Sequence, residues 1–146
     1  MCQEKNRPYK SKKPLKVYKS LLVGESVFSP YLCISLDFKW KYGKNQSSRI
    51  DKTITTETYN GFHFFLNKKD AMRDANFHSR LSINCENGLI PVVVKLILYP
   101  KEIVCIGKYV ATYKKANHVM SGVVSTTCNL RTKYATTYNG KRIKIF

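Results

Sequence analysis

Residues Leu89 to Tyr99 form a stretch that is apolar on both faces of an extended chain, apart from Lys95. A strand with one wet face alternates apolar and polar residues, so an unalternating run of this length reads as a central strand. It is the longest apolar stretch in the sequence, and Pro91 and Lys95 interrupt it. A membrane-crossing helix needs about 20 apolar residues, so no transmembrane segment is expected. Pro100-Lys101 turns the chain immediately afterwards.

The rest of the sequence supplies partners for such a strand. Leu15, Val17 and Leu21-Leu22-Val23 predict a first strand closed by Gly24, and Ser29-Pro30 a turn. Leu32, Ile34, Leu36, Phe38, Trp40 and Tyr42 occupy alternate positions, as in a strand with one buried face, and Gly43 to Ser48 reads as a loop. Residues 50–58 are rich in Ile and Thr, and Tyr59-Asn60-Gly61 supplies a turn before the short strand Phe62 to Leu66. Asn67 can cap a helix over 68–79, with Asp70 and Asp74 favoured by the helix dipole and Ala71, Met72 and Ala75 on its apolar side.

Further strands are expected at Ile103 to Ile106 and Tyr109 to Tyr113, followed by a loop at Lys114 to His118. Val119 to Cys128 reads as a strand with a bulge or bend at Gly122. Residues 129–137 and 141–146 flank the hairpin signal Tyr138-Asn139-Gly140, with Arg142, Lys144 and Phe146 on one face and Ile143 and Ile145 on the other. The expectation is an α+β fold, a mostly antiparallel β-sheet or partial barrel with one short helix. A chain of 146 residues can bury a core without metal or disulfide, so residues 15–146 are read as one β-rich domain.

Charge is distributed unevenly. The formal net charge is +17, but residues 25–102 carry eleven basic and eight acidic side chains. Residues 1–24 carry seven basic and one acidic, and residues 103–146 eight basic and none acidic. Residues 1–14 are polar, hold two prolines and lack apolar periodicity, which predicts a basic flexible arm. Two groups of polyanion-binding candidates follow. Lys5, Arg7, Lys10, Lys12 and Lys13 lie on the arm, and Arg131, Lys133, Arg142 and Lys144 on the C-terminal strands.

Little in the sequence points to a reaction. There is no Gly-rich phosphate loop and no nucleophile elbow. Cys2, Cys33, Cys85, Cys105 and Cys128 are odd in number and irregularly spaced, which suits free thiols in a reducing compartment rather than a secreted framework. His63, His78 and His118 have no metal-ligand spacing, so no metal or cofactor is expected. His63 could act as a general base, but a hydrogen-bonded structural role fits its apolar neighbours better. In Phe38-Lys39-Trp40-Lys41-Tyr42 the alternation places aromatics and lysines on opposite faces, a core-facing ring row with a solvated lysine row.

The segment Gly61-Phe62-His63-Phe64-Phe65-Leu66-Asn67-Lys68-Lys69-Asp70-Ala71 resembles the Gly-[Ile/Phe]-His-Phe-Phe motif of an uncharacterised small domain of large DNA viruses and phages, often attached to pentapeptide repeats. Val17-Tyr18-Lys19, Tyr42-Gly43-Lys44 and Val92-Val93-Val94-Lys95-Leu96 are similar in order around it. The chain departs from that pattern in its basic ends and in lacking any repeat array. The resemblance implies a viral origin, gives Gly61, His63 and Phe64 a motif of unknown role, and implies nothing about catalysis.

The expected function is therefore that of a non-enzymatic basic viral protein docking onto an acidic surface, as a minor structural component of the capsid or virion. Its partners would be capsid proteins or nucleic acid, and its place the virion or the host cytoplasm or nucleus. One alternative is a nucleic-acid-binding protein that uses the basic C-terminal sheet face. The other is a small enzyme or host-defence antagonist centred on His63.

Overall fold

A computed structural model describes residues 3–28, 39–46, 57–58, 61–81 and 85–146. The expected turn at Ser29-Pro30, the alternating positions Leu32 to Phe38, residues 50–56, Tyr59-Asn60, and Cys2 and Cys33 lie outside these residues. The described strands are β1 (Gln3–Arg7), β2 (Leu15–Val23), β3 (Val27–Phe28), β4 (Lys39–Trp40), β5 (Gly43–Gln46), β6 (Glu57–Thr58) and β7 (Phe62–Phe65). After the helix α1 (Lys68–Ser79) come β8 (Ile90–Leu98), β9 (Ile103–Tyr113), β10 (Ala116–Ser125), β11 (Thr127–Leu130), β12 (Tyr134–Thr137) and β13 (Arg142–Lys144).

The apolar run becomes β8, an interior strand of a large antiparallel sheet ordered β13-β12-β8-β2-β7-β10-β9-β1-β6. The nine residues of β8 pair along the whole of β2, from Leu15 opposite Leu98 to Val23 opposite Ile90. The sheet is open rather than a partial barrel, since its order ends at β13 on one side and β6 on the other. The α+β, mostly antiparallel expectation holds.

Side chains alternate between two layers. On one face Val17, Leu21, Phe62, Phe64, Val92, Val94, Leu96, Leu98 and Val123 pack with Val27, Trp40, Cys128 and Leu130. The second, two-stranded sheet of β5 and β11 contributes Cys128 and Leu130 to that core. On the other face Ala71 and Ala75 of α1 pack with Phe65, Val93, Tyr109, Tyr113 and Met120. The helix packs on β8, β2 and β7, while Tyr134, Arg142 and Lys144 at the β12–β13 end of this face stay exposed.

Several expectations change. Gln3–Arg7 is not a flexible arm but the strand β1, paired with β9 and β6. A sheet edge is satisfied by backbone groups, so a polar segment without apolar periodicity can cover it. Gly43–Gln46 is a strand rather than a loop because it pairs with β11, and Asn45 fixes the turn that leads into it. Its side chain is buried, accepts a hydrogen bond from Lys41 N and donates to Lys41 O and Gly43 O. The two strands expected around Gly107 are one, and the loop at Lys114 to His118 shrinks to a tight turn. Lys114 and Lys115 both take positive φ there, a conformation for which lysine carries no sequence signature. The register shift in β10 falls at Val124/Ser125 and not at Gly122, which pairs regularly with Gly107. The stretch 129–137 is divided between β11 and β12. Phe146 packs on the same core as Ile143 and Ile145 rather than beside Arg142 and Lys144.

Candidate functional site

The lone lysine of the apolar run marks the open part of the helix-side face. Lys95 lies opposite Tyr18 and is exposed, whereas its strand neighbours Val94 and Leu96 point into the core beneath. Alternation places Ile97 on the same face, and Tyr99 follows just past the strand. From the next strand, Tyr134 and Thr136 come up beside them, because Thr136 pairs with Val93. Arg142 and Lys144 stand directly across from Thr136 and Tyr134 and share their face. The Arg142 guanidinium carbon lies 4.0 Å from the centre of the Tyr134 ring.

These side chains line two connected hollows. One, of about 400 Å³, is bordered by Tyr18, Lys68, Lys95, Tyr134, Thr136 and Arg142. The other, of about 890 Å³, is bordered by Lys95, Ile97, Tyr99, Lys101, Glu102 and Arg131, with Asn129 and Thr132 on its far wall. Lys95 and Thr132 belong to both, so the hollows form one groove. It exists because β12 pairs with β8 only at Val92 and Val93, while the chain between β11 and β12 diverges from the end of β8.

The electrostatics of the groove are one-sided. Lys68, Lys95, Lys101, Arg131 and Arg142 face it, against one carboxylate among the described lining residues, Glu102. That carboxylate accepts a hydrogen bond of 3.0 Å from Tyr99 N and so holds the turn after β8. Asp70, in the first turn of α1, is engaged by Arg73 at 3.4 Å. Tyr99 and Tyr134 are each about two-fifths exposed, 40% and 42%, which is enough to offer a ring face.

The residues expected from sequence fare differently. Arg131 and Arg142 line the groove and Lys144 flanks it. Lys133 does not, since its ammonium lies over the ring of Tyr42, 5.2 Å from the centre. Lys5 and Arg7 belong to β1 at the far end of the sheet order, and Lys10, Lys12 and Lys13 follow on exposed chain before β2. The alternation predicts Tyr42 in a core-facing row with Trp40, yet the strand ends at Trp40 and Tyr42 is exposed beyond it.

The Gly-Phe-His-Phe-Phe segment carries structural work. Gly61 has φ +84, and a Cβ there would come within 2.8 Å of Ser125 O on the neighbouring strand. Phe64 is fully buried. His63 lies on the helix side with its ring 5.9 Å from that of Tyr109, and its carbonyl accepts a 2.8 Å bond from Lys19 Nζ. Lys19 is itself buried, with its ammonium 5.5 Å from the ring centres of both Trp40 and Phe64. Burial pushes this amine down to about 8, against smaller opposing effects of Cys128 and Asp74. Burial likewise pushes the Cys128 thiol up to about 12 and Cys105 up to about 11, which makes both poor nucleophiles.

Asp74 is not a dipole partner at the helix start but a buried acceptor. Tyr113 donates to its Oδ1 at 2.9 Å, and His78 Nε2 lies 3.7 Å from Oδ2. Burial holds His78 below its ordinary range, with Asp74 opposing. Among the described residues no group of His, Cys, Asp and Glu is arranged to hold a metal ion, and no helix is long and apolar enough to cross a membrane.

Comparison with protein family models, curated proteins and solved structures gives no match.

Sequence reading missed Lys68, Lys95, Lys101, Tyr99 and Tyr134 as members of the site. Two of them carry a visible signal. Lys95 is a lone cation in an apolar strand, and Lys68 opens a helix, where the dipole disfavours positive charge. Both side chains reach the groove.

Proposed function

We propose that the protein is a non-catalytic polyanion-binding module, that its binding surface is the groove on the open helix-side face, and that nucleic acid is its partner. The observation that carries this reading is convergence. Lys68, Lys95, Lys101, Arg131 and Arg142 come from separate stretches of chain, yet border one continuous groove whose single described carboxylate is tied to the backbone. Scattered surface lysines interact weakly with any partner in water, whereas several cations along one groove release several counterions from a phosphate backbone at once. Exposed tyrosines within the groove favour a nucleic acid over an acidic protein face, since a base offers a ring to stack on. On the viral reading that residues 61–71 imply, the same surface would hold the protein to the nucleic acid of a particle or to an acidic face of its shell.

Salt-dependent binding tests this. Affinity for nucleic acid should fall linearly on a log–log plot against salt, with a slope reporting about four to five phosphate contacts. Combined Lys95→Glu, Arg131→Glu, Arg142→Glu and Lys144→Glu should weaken binding at least a hundredfold. Combined Lys10→Ala, Lys12→Ala and Lys13→Ala should weaken it less than fivefold. The opposite ranking would move the binding surface to the N-terminal segment, and no binding to any polyanion at low salt would end the proposal.

A further inference from the structure

Resting on the polyanion reading, we infer that the groove is a single-strand site, with base-stacking platforms at Tyr99 and Tyr134 on either side of a phosphate anchor at Lys95. Lys95 borders both hollows, Tyr99 only the larger and Tyr134 only the smaller. Tyr99 stands four residues along the chain from Lys95, about 13 Å of extended backbone. The two rings are therefore separate platforms rather than one stack. Each has a cation that suits it. The Arg142 guanidinium sits over one face of Tyr134, 4.0 Å from the ring centre, and Arg131 and Lys101 border the hollow of Tyr99.

A duplex suits this surface poorly. Its bases are stacked on one another and offer no free face, while its phosphates lie on the outside. The rings here lie within hollows walled by the start of α1 on one side and by Asn129 and Thr132 on the other. The helix itself is committed to the sheet through buried Ala71, Asp74, Ala75 and His78, so it is not a free recognition helix. An antiparallel sheet face that carries aromatics between cations matches unstacked bases on a flexible strand. The apolar floor at Ile97, itself 46% exposed, would be covered by a base rather than by a phosphate.

The test compares four fluorescent probes with the full chain at one low salt concentration. They are a twelve-nucleotide thymidine strand, the same length of duplex, heparin and a polyglutamate peptide. The single strand should bind at least tenfold more tightly than the duplex. Tyr99→Ala and Tyr134→Ala should each weaken single-strand binding about tenfold while changing heparin binding less than twofold. Tyr99→Phe should restore it, because stacking needs the ring and not the hydroxyl. Equal or tighter duplex binding, or tyrosine variants without effect while Lys95→Ala still weakens every polyanion, would overturn this inference and leave the polyanion reading standing. Polyglutamate binding more tightly than the strand would overturn it in favour of an acidic protein partner. Failure of all four probes to bind would remove both readings.

Discussion

Lys19 and Lys95 sit on adjacent strands, one pair apart in register, and meet opposite fates. Lys19 lies opposite Val94 and faces the core, whereas Lys95 lies opposite Tyr18 and faces the groove. The first has its charge spread over Trp40 and Phe64 and donates to His63 O, closed off from any ligand. The second keeps its charge in water, at the junction of two hollows. One face of the β2–β8 pair is thus built for cohesion and the other for contact. The same residue type serves either, and strand parity decides which.

The division of labour predicts that damage to the closed face is felt as stability and damage to the open face as affinity. Phe64→Ala removes a fully buried ring and should cost about 4 kcal/mol in denaturant unfolding. Tyr134→Ala, at an exposed ring, should cost under about 1 kcal/mol. Equal losses would mean that the groove is part of the core and the comparison is false.

Lys19→Met is the sharper probe of the closed face. The amine has its ordinary value of 10.5 in the unfolded chain and about 8 in the fold, so the unfolded state holds more protons between these limits. Stability should therefore rise as pH increases from about 8 to 10.5, and the cost of burying the charge is fully present below pH 8. That cost is about 3 kcal/mol at pH 7. Lys19→Met removes it together with the bond from Lys19 Nζ to His63 O, for a net gain of about 2 kcal/mol at pH 7. Subtracting the variant's stability–pH curve from that of the parent isolates the amine. A flat difference curve would show that Lys19 is not held charged in the core.

Much of this architecture was legible because it rests on local pattern. Leu89 to Tyr99 read as a central strand, Leu15 to Val23 as a first strand, and Lys68 to Ser79 as a helix, since each carries its own period or its own end signals. The site was less legible because it depends on pairings between distant segments. Nothing near Asp74 announces Tyr113, thirty-nine residues away, as its donor. Nothing near Gln3 announces β9. Alternation alone puts Arg142 and Lys144 on one face, but it does not reveal that Lys133 turns to Tyr42 on the other side. Net charge by segment located the basic C-terminal third, yet the groove also draws on Lys68, Lys95 and Lys101 from the nearly balanced middle.

The bond from Tyr113 to Asp74 ties β9 to α1 beneath the helix layer, between the two extremes. Tyr113→Phe leaves the ring contacts with Phe77 and His118 in place and deletes only the donor to a buried carboxylate. It should cost about 2 kcal/mol in unfolding. Because α1 forms one wall of the groove through Lys68, a small change in nucleic-acid affinity should accompany it, under about twofold. A larger loss of affinity would mean that the helix anchor helps to shape the groove, and the two faces would then be coupled.

Lys95→Met should change stability least of all. The side chain is exposed and makes no ion pair among the described residues, so its removal should shift unfolding by less than about 0.5 kcal/mol. Its effect belongs to binding. Loss of one phosphate contact should reduce the slope of log affinity against log salt by about one, and weaken binding similarly across nucleic-acid sequences, because a phosphate carries no sequence information. The paired measurement on Lys19→Met should show an unchanged salt slope. If Lys95→Met instead altered stability and left the slope alone, the lysine would be a strand residue that happens to be wet. The contrast between the two lysines would then reduce to burial alone.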